Sequence, residues 1–221
     1  LLRWRTHERA TALRSVDAFL TEIAPRAEIF PKMHRDLAPL YDVVSQCPTT
    51  LGDMLSREKT PHELVIPSTP RYFISALKTP VDRASVRRVY FPSEHARNIA
   101  YLFLNSSYMY WWWRLHDGGM TIAERTLHSL PIDTCIAPPS VLLTALEHSE
   151  TVHKVVKKNA GRANENVKHP MELVRSLNEY LFPEYSSQLE QVHSNSCILL
   201  QYSQPMQDHA LYVQQHKTVL Q

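Results

Sequence analysis

The chain has 221 residues, 43% of them apolar and 21% charged, and a formal net charge of +2. That composition excludes an acidic or polar disordered segment and a strongly basic nucleic-acid tail, and it provides for a sizeable core in one large domain or two small ones. Any nucleic-acid surface must therefore be local.

Before the first element, the N-terminal LLRWRTHER is charged throughout and lacks the apolar stretch of a secretory signal. The missing initiator Met suggests processing or, more so, a piece of a longer protein. Residues 8–46 then read as helical, with Ala12, Val16, Phe19, Leu20 and Ile23 at three- and four-residue spacing, an interruption at Pro25, and Leu37, Leu40, Tyr41 and Val44 resuming the pattern. Between residues 60 and 91 the character changes. Short runs at 64–66, 72–74 and 86–91 are rich in β-branched and aromatic residues and are separated by Pro67, Pro70 and Pro80, which predicts three strands.

Ser93 and Glu94 give a helix start, a capping hydroxyl followed by an acidic first-turn residue, and the following helix is expected to run to about Leu115 before Gly118 and Gly119. It holds seven aromatic residues, Tyr101, Phe103, Tyr108, Tyr110, Trp111, Trp112 and Trp113, with apolar side chains on almost every face, so it must be enclosed. Core packing is the favoured role for each ring over base stacking. At residues 99–113 the segment is too short to span a bilayer and contains Asn105, Ser106 and Ser107. Thr121 with Glu124 suggests a capping box for a short helix at 122–129, and Pro131, Pro138 and Pro139 mark a linker. Residues 141–158 predict an amphipathic helix, 159–169 a loop, and Pro170 the first position of a further helix that Pro183 ends. The tail, residues 205–221, reads as weakly helical.

These elements predict an α+β fold in which a small mixed or antiparallel sheet and a long buried aromatic helix are flanked by N- and C-terminal helical segments. The expected divisions are a helical lead-in at 1–59, an α+β domain at 60–138 and a helical segment at 139–221.

Chemical signatures are sparse. Twelve histidines include no His-Glu-x-x-His, and His148 and His153 are five apart, off a common helical face. Three widely spaced cysteines, Cys47, Cys135 and Cys197, argue against a disulfide framework and a zinc site and suit a reducing cytoplasm. No acidic residue stands two before a Lys as restriction-nuclease cores require, and no Gly-x-Ser-x-Gly or phosphate loop appears. Positive charge, by contrast, is concentrated. Arg71, Lys78, Arg83, Arg87, Arg88 and Arg97 face only Asp82 and Glu94 between residues 71 and 97, and six minus two gives +4. Such residues on strand ends and loops neutralise phosphates and reach guanine edges, or else form a solvated strand surface. A second group, Lys154, Lys157, Lys158, Arg162 and Lys168, reads equally as a phosphate-contacting helix end or as charge favourable to a helix C-terminus.

The block at residues 94–132 resembles one in the C-terminal half of Type II-like DNA adenine-N6 methyltransferases of restriction-modification systems. There a leucine-asparagine-serine-serine step, aromatics, a Gly turn and a leucine-proline-isoleucine ending belong to the target-recognition region. The matching residues are Leu104, Asn105, Ser106, Ser107, 110–113, Gly118, Gly119, Leu130, Pro131 and Ile132. TPRYFISA at 69–76 is similar to the strand opening that region, and NENVKHP at 164–170 followed by Leu173, Val174 and Arg175 to its closing helical part.

The resemblance implies a DNA-binding target-recognition portion whose partners are double-stranded DNA and a methyltransferase catalytic domain, N-terminal or on another chain, with no membrane. S-adenosylmethionine is then the cofactor of that catalytic domain. This chain has neither the Gly-containing cofactor loop nor the Asn/Asp-Pro-Pro-Tyr/Phe step; its sole Pro-Pro step is Pro138-Pro139. No cofactor, catalytic residue or metal site, and no activity, is therefore expected of it alone. Local charge and position select Arg71, Lys78, Arg83, Arg87, Arg88, Arg114 and His116 for contact with bases or phosphates. The alternative is an assembly module of the same system that docks a partner through the aromatic and C-terminal helices without touching DNA.

Overall fold

The computed structural model describes residues 35–70, 73–117, 120–159 and 161–194. The expected helices before residue 35 and in the tail lie outside them.

After a short 3-10 turn at Arg35–Leu37, α1 (Ala38–Val44) buries Leu40, Tyr41 and Val44, and α2 (Leu51–Met54) begins where Asp53 Oδ2 accepts from Thr50 N at 2.8 Å. β1 (Glu63–Pro67) pairs antiparallel with β2 (Val86–Tyr90), placing Ile66 opposite Arg87 and Val65 opposite Arg88. The third strand expected at 72–74 is not formed over Phe73 and Ile74; Tyr72 lies outside the described residues. Only Leu77 reaches β1, exchanging two backbone hydrogen bonds with Val65 (2.8 and 2.9 Å). In the register that sets Leu77 against Val65, the next bonded position would set Ser75 against Pro67, which has no N–H to donate. Asn105 Oδ1 accepts from Ala76 N and its Nδ2 donates to Ala76 O, both at 2.9 Å, occupying backbone groups that a ladder neighbour would take.

The aromatic segment is two helices, not one. Ser93 Oγ accepts from Ala96 N (3.2 Å) to open α3 (Glu94–Asn105). Ser106 then adopts an extended conformation (φ −81°, ψ 167°), and its Oγ accepts from Tyr108 N to open α4 (Ser107–His116). A serine favours capping over continuing a helix, so it ends one and starts the next. α5 (Glu124–His128) begins after Ala123, without the capping box expected from Thr121, and Asp117 Oδ2 accepts from Ala123 N (3.0 Å).

α6 (Ser140–Val152) stops six residues short of the expected Lys158. β3 (Lys154–Asn159) and β4 (Arg162–Val167) form an antiparallel hairpin instead, so the loop predicted at 159–169 is mostly strand. The β-branched run Val152, Val155 and Val156 weakens the helix, and Gly161, at φ +80°, supplies the left-handed turn that closes the ribbon. Pro170 caps α7 (Met171–Leu181) from outside, and α8 (Ser186–Ser194) follows.

The result is mixed α+β with the aromatic cluster at its centre. One core runs from Leu37 to Val192 and draws on all three expected segments, with Trp111, Trp113, Tyr101 and Tyr108 among the largest fully buried side chains. Leu130, Pro131 and Ile132 close it from below. Leu130 O and Thr49 O accept from Leu51 N (2.7 Å) and Ile132 N (2.9 Å), and Tyr108 OH donates to Pro131 O (3.1 Å). Among the described residues no helix is long and apolar enough to cross a membrane.

Candidate nucleic-acid interface

The aromatic rings are not available to stack on bases, because each of the seven is at most 5% exposed. The Asn-Ser-Ser step serves the same enclosure. Asn105 clamps Ala76, Ser106 joins the helices, and Ser107 is held from α7, where Asn178 Oδ1 accepts from Ser107 N (3.0 Å) and Asn178 Nδ2 donates to Ser107 Oγ (2.9 Å). Trp112 Nε1 donates to Ser129 Oγ (3.3 Å), whereas the indole N–H groups of Trp111 and Trp113 have no partner among the described residues.

The predicted cations divide into groups with different surroundings. Arg87 and Arg88 are adjacent on β2. Arg88 is exposed and pairs across the ladder with Glu63 (2.7 Å), while Arg87 is half-buried and has no ion pair among the described residues. At one end of this ladder Ser68 N donates to Ser85 O, and Ser68 O accepts from Ile122 N (2.9 Å). The loop after α4 is thereby brought to the sheet end, and with it the helix terminus that carries Arg114 and His116. Arg114 lies over the Trp113 ring, 5.3 Å from its centroid. His116 packs on Trp112 at 4.3 Å, and burial pushes its pKa down to about 4, so at neutral pH it is an uncharged ring and supplies no phosphate-neutralising charge.

Lys78 and Arg83 are engaged by groups of the chain itself. Lys78 Nζ meets Glu147 at 2.5 Å and lies 4.9 Å over the Tyr101 ring, with only 12% of its side chain exposed. Beside it, buried Glu150 accepts from Lys78 N, Thr79 N, Thr79 Oγ1 and Tyr101 OH at 2.6 to 3.0 Å. Burial, reinforced by that carboxylate, holds the Tyr101 phenol above its ordinary range. Arg83 donates to Asn166 Oδ1 on β4 and to Thr69 O and Oγ1 (3.0 and 2.8 Å), and burial lowers its pKa. Arg71 lies outside the described residues.

Arg83 therefore links the first basic group to the second, which sequence periodicity had put on a helix end. The structure carries that group on and beside the β3–β4 ribbon, where Lys154, Lys158 and Lys168 are exposed. A Val-Val step followed by an Asn-Ala-Gly turn was the hairpin signal in the sequence, and the stronger helical pattern before it masked it. The root of the ribbon is polar. Ser149 Oγ lies 3.0 Å from His153 Nδ1 and 2.8 Å from His169 Nδ1. Its single hydroxyl proton serves one imidazole, so between neutral rings the other must donate to it. Burial and the neighbouring His153 push His169 down to about 4.

Among the described residues no three His, Cys, Asp or Glu side chains come together as a metal site. The arrangement supplies cationic donors on a rigid scaffold, a surface suited to a polyanion. No protein-family model, curated protein or solved structure matches this chain.

Proposed function

We propose that this chain is the DNA-binding target-recognition portion of a restriction-modification adenine methyltransferase, without catalytic machinery of its own, acting with a catalytic domain that carries S-adenosylmethionine. The observation that carries this reading is the placement of Arg87 and Arg88 on a short sheet whose inner strand, β1, packs on α3. Phosphate contacts position a reader only if their backbone does not move, and the residues of the resemblance supply that rigidity: Asn105 clamps Ala76, Ser106 joins the two helices, and Leu130 to Ile132 brace the core. Arg114 at the end of α4 extends the same cationic surface, and double-stranded DNA is the partner.

The test is anisotropy of a labelled duplex titrated with the full chain, alone and together with its catalytic region, across salt concentrations. Binding should be weak for the chain alone and steeply salt-dependent, and Arg87→Ala with Arg88→Ala should make the slope of log affinity against log salt shallower by about 0.9 for each phosphate no longer neutralised. An unchanged slope removes these arginines from the DNA face. If no duplex binds near about 50 mM salt even with the catalytic region present, the assembly-module reading takes its place.

A further inference from the structure

β3 of the β3–β4 ribbon exposes apolar side chains. Val155 and Val156 point to opposite sides of β3 and are 41% and 58% exposed, so neither side of that strand is covered by core. An isolated two-stranded hairpin is marginal in water. This one is pinned through β4. Glu165 N donates to Asp82 O (2.8 Å), Asp82 N donates to Glu165 Oε2 (2.9 Å), Arg83 holds Asn166, and Ser75 Oγ donates to Val167 O (2.7 Å). The pinning leaves the β3 edge outward.

Charge identifies what that edge fits. Residues 154–168 contain Lys154, Lys157, Lys158, Arg162 and Lys168 against Glu165 alone; five minus one is +4, twice the charge of the whole chain. A duplex major groove admits a two-stranded ribbon, with phosphates on its walls and thymine methyl groups on its floor. Six residues per strand give a length of about 20 Å, or about six base pairs of groove. On one side of β3 the exposed Lys154, Val156 and Lys158 alternate, charge for the walls and methyl groups for the floor.

We infer that the β3–β4 hairpin is a second DNA-contacting element, a ribbon that enters the major groove of the duplex whose backbone Arg87 and Arg88 engage. The inference rests on the DNA-binding reading above and extends it to the opposite edge of the Asp82–Arg83 segment.

Two variants of the full chain test it against a duplex of about 20 base pairs. Lys154→Ala with Lys158→Ala should make the salt slope shallower by about 1.8, while Val155→Ser with Val156→Ser should weaken binding several-fold at an unchanged slope, since apolar groove contacts release no counterions. Both should melt close to the parent, because all four side chains are exposed and the Lys154–Glu165 pair at 3.4 Å is a surface one; Lys158→Glu, near the ribbon tip, gives a second charge variant. A full salt slope in the lysine variants, with the Arg87 and Arg88 dependence retained, overturns the ribbon and leaves the parent reading standing. Loss of self-association in the valine pair, seen by light scattering, with duplex binding intact, assigns the edge to a second copy of this chain and also overturns it. No duplex binding by the parent protein with its catalytic region defeats both.

Discussion

The α3–α4 helices and the β3–β4 hairpin use their chain in opposite ways. In the helices every aromatic ring is enclosed, and hydrogen bonds tie them to three distant segments, Asn105 to Ala76, Tyr101 to Glu150 on α6 and Ser107 to Asn178 on α7. In the hairpin, β3 has neither side covered, and its fixed points lie on or beside its partner strand. The contrast separates two tasks: burial makes a scaffold stiff, and exposure leaves side chains free to meet a ligand. The abundant aromatics, which draw the eye as a base-stacking platform, belong to the first task, and under the proposed DNA-binding reading the plain lysines serve the second.

The comparison is broken most severely from inside. Trp113→Ala or Phe103→Ala should destabilise the fold by about 3–5 kcal/mol, read by denaturant unfolding. An unchanged midpoint would mean that these helices are not the scaffold. Glu150→Ala comes next, because it leaves the Tyr101 hydroxyl and the backbone donors of residues 78 and 79 without their acceptor. A loss on the order of 3 kcal/mol is expected, and a neutral outcome would show that the tie between α6 and α3 does not stiffen the helices.

The hairpin root should respond to acid. An unfolded histidine takes up its proton near 6.5 and His169 in the folded protein only near 4, so the unfolded state binds more protons between those values. Stability is therefore full above about pH 6.5 and falls as pH drops toward about 4, by at most about 3 kcal/mol from this residue. His116 acts in the same direction. Melting temperatures from pH 7 down to pH 4 measure it, and His169→Gln should flatten the profile; an equally steep fall in that variant would place the acid sensitivity elsewhere. The smallest effect sharpens the contrast: substituting Arg87 and Arg88, or Lys154 and Lys158, should shift stability by about 0.5 kcal/mol or less while changing the salt dependence of DNA binding.

Much of this architecture was written locally. Apolar residues on nearly every face of 99–113 require an enclosed helix whatever surrounds it, and Ser93 can start one without tertiary help. The 3.6-residue spacing of Leu40, Tyr41 and Val44 likewise fixed a buried helical face, and two of the predicted strands formed. Three things needed the rest of the molecule. The backbone groups of Ala76 found their partner not in a strand but in the Asn105 amide, 29 residues downstream. Residues 153–158 carried both a helical pattern and β-branched residues, and pairing with β4, itself docked on Asp82, decided for strand. The cations could be counted in the sequence but not sorted: Lys78 and Arg83 turn to Glu147, Thr69 and Asn166, while Lys158 remains exposed. Periodicity reports how a segment meets its immediate neighbours. Which distant carboxylate, amide or carbonyl reaches a given charge is set only when the chain closes on itself, and that closure decides which charges remain for a partner.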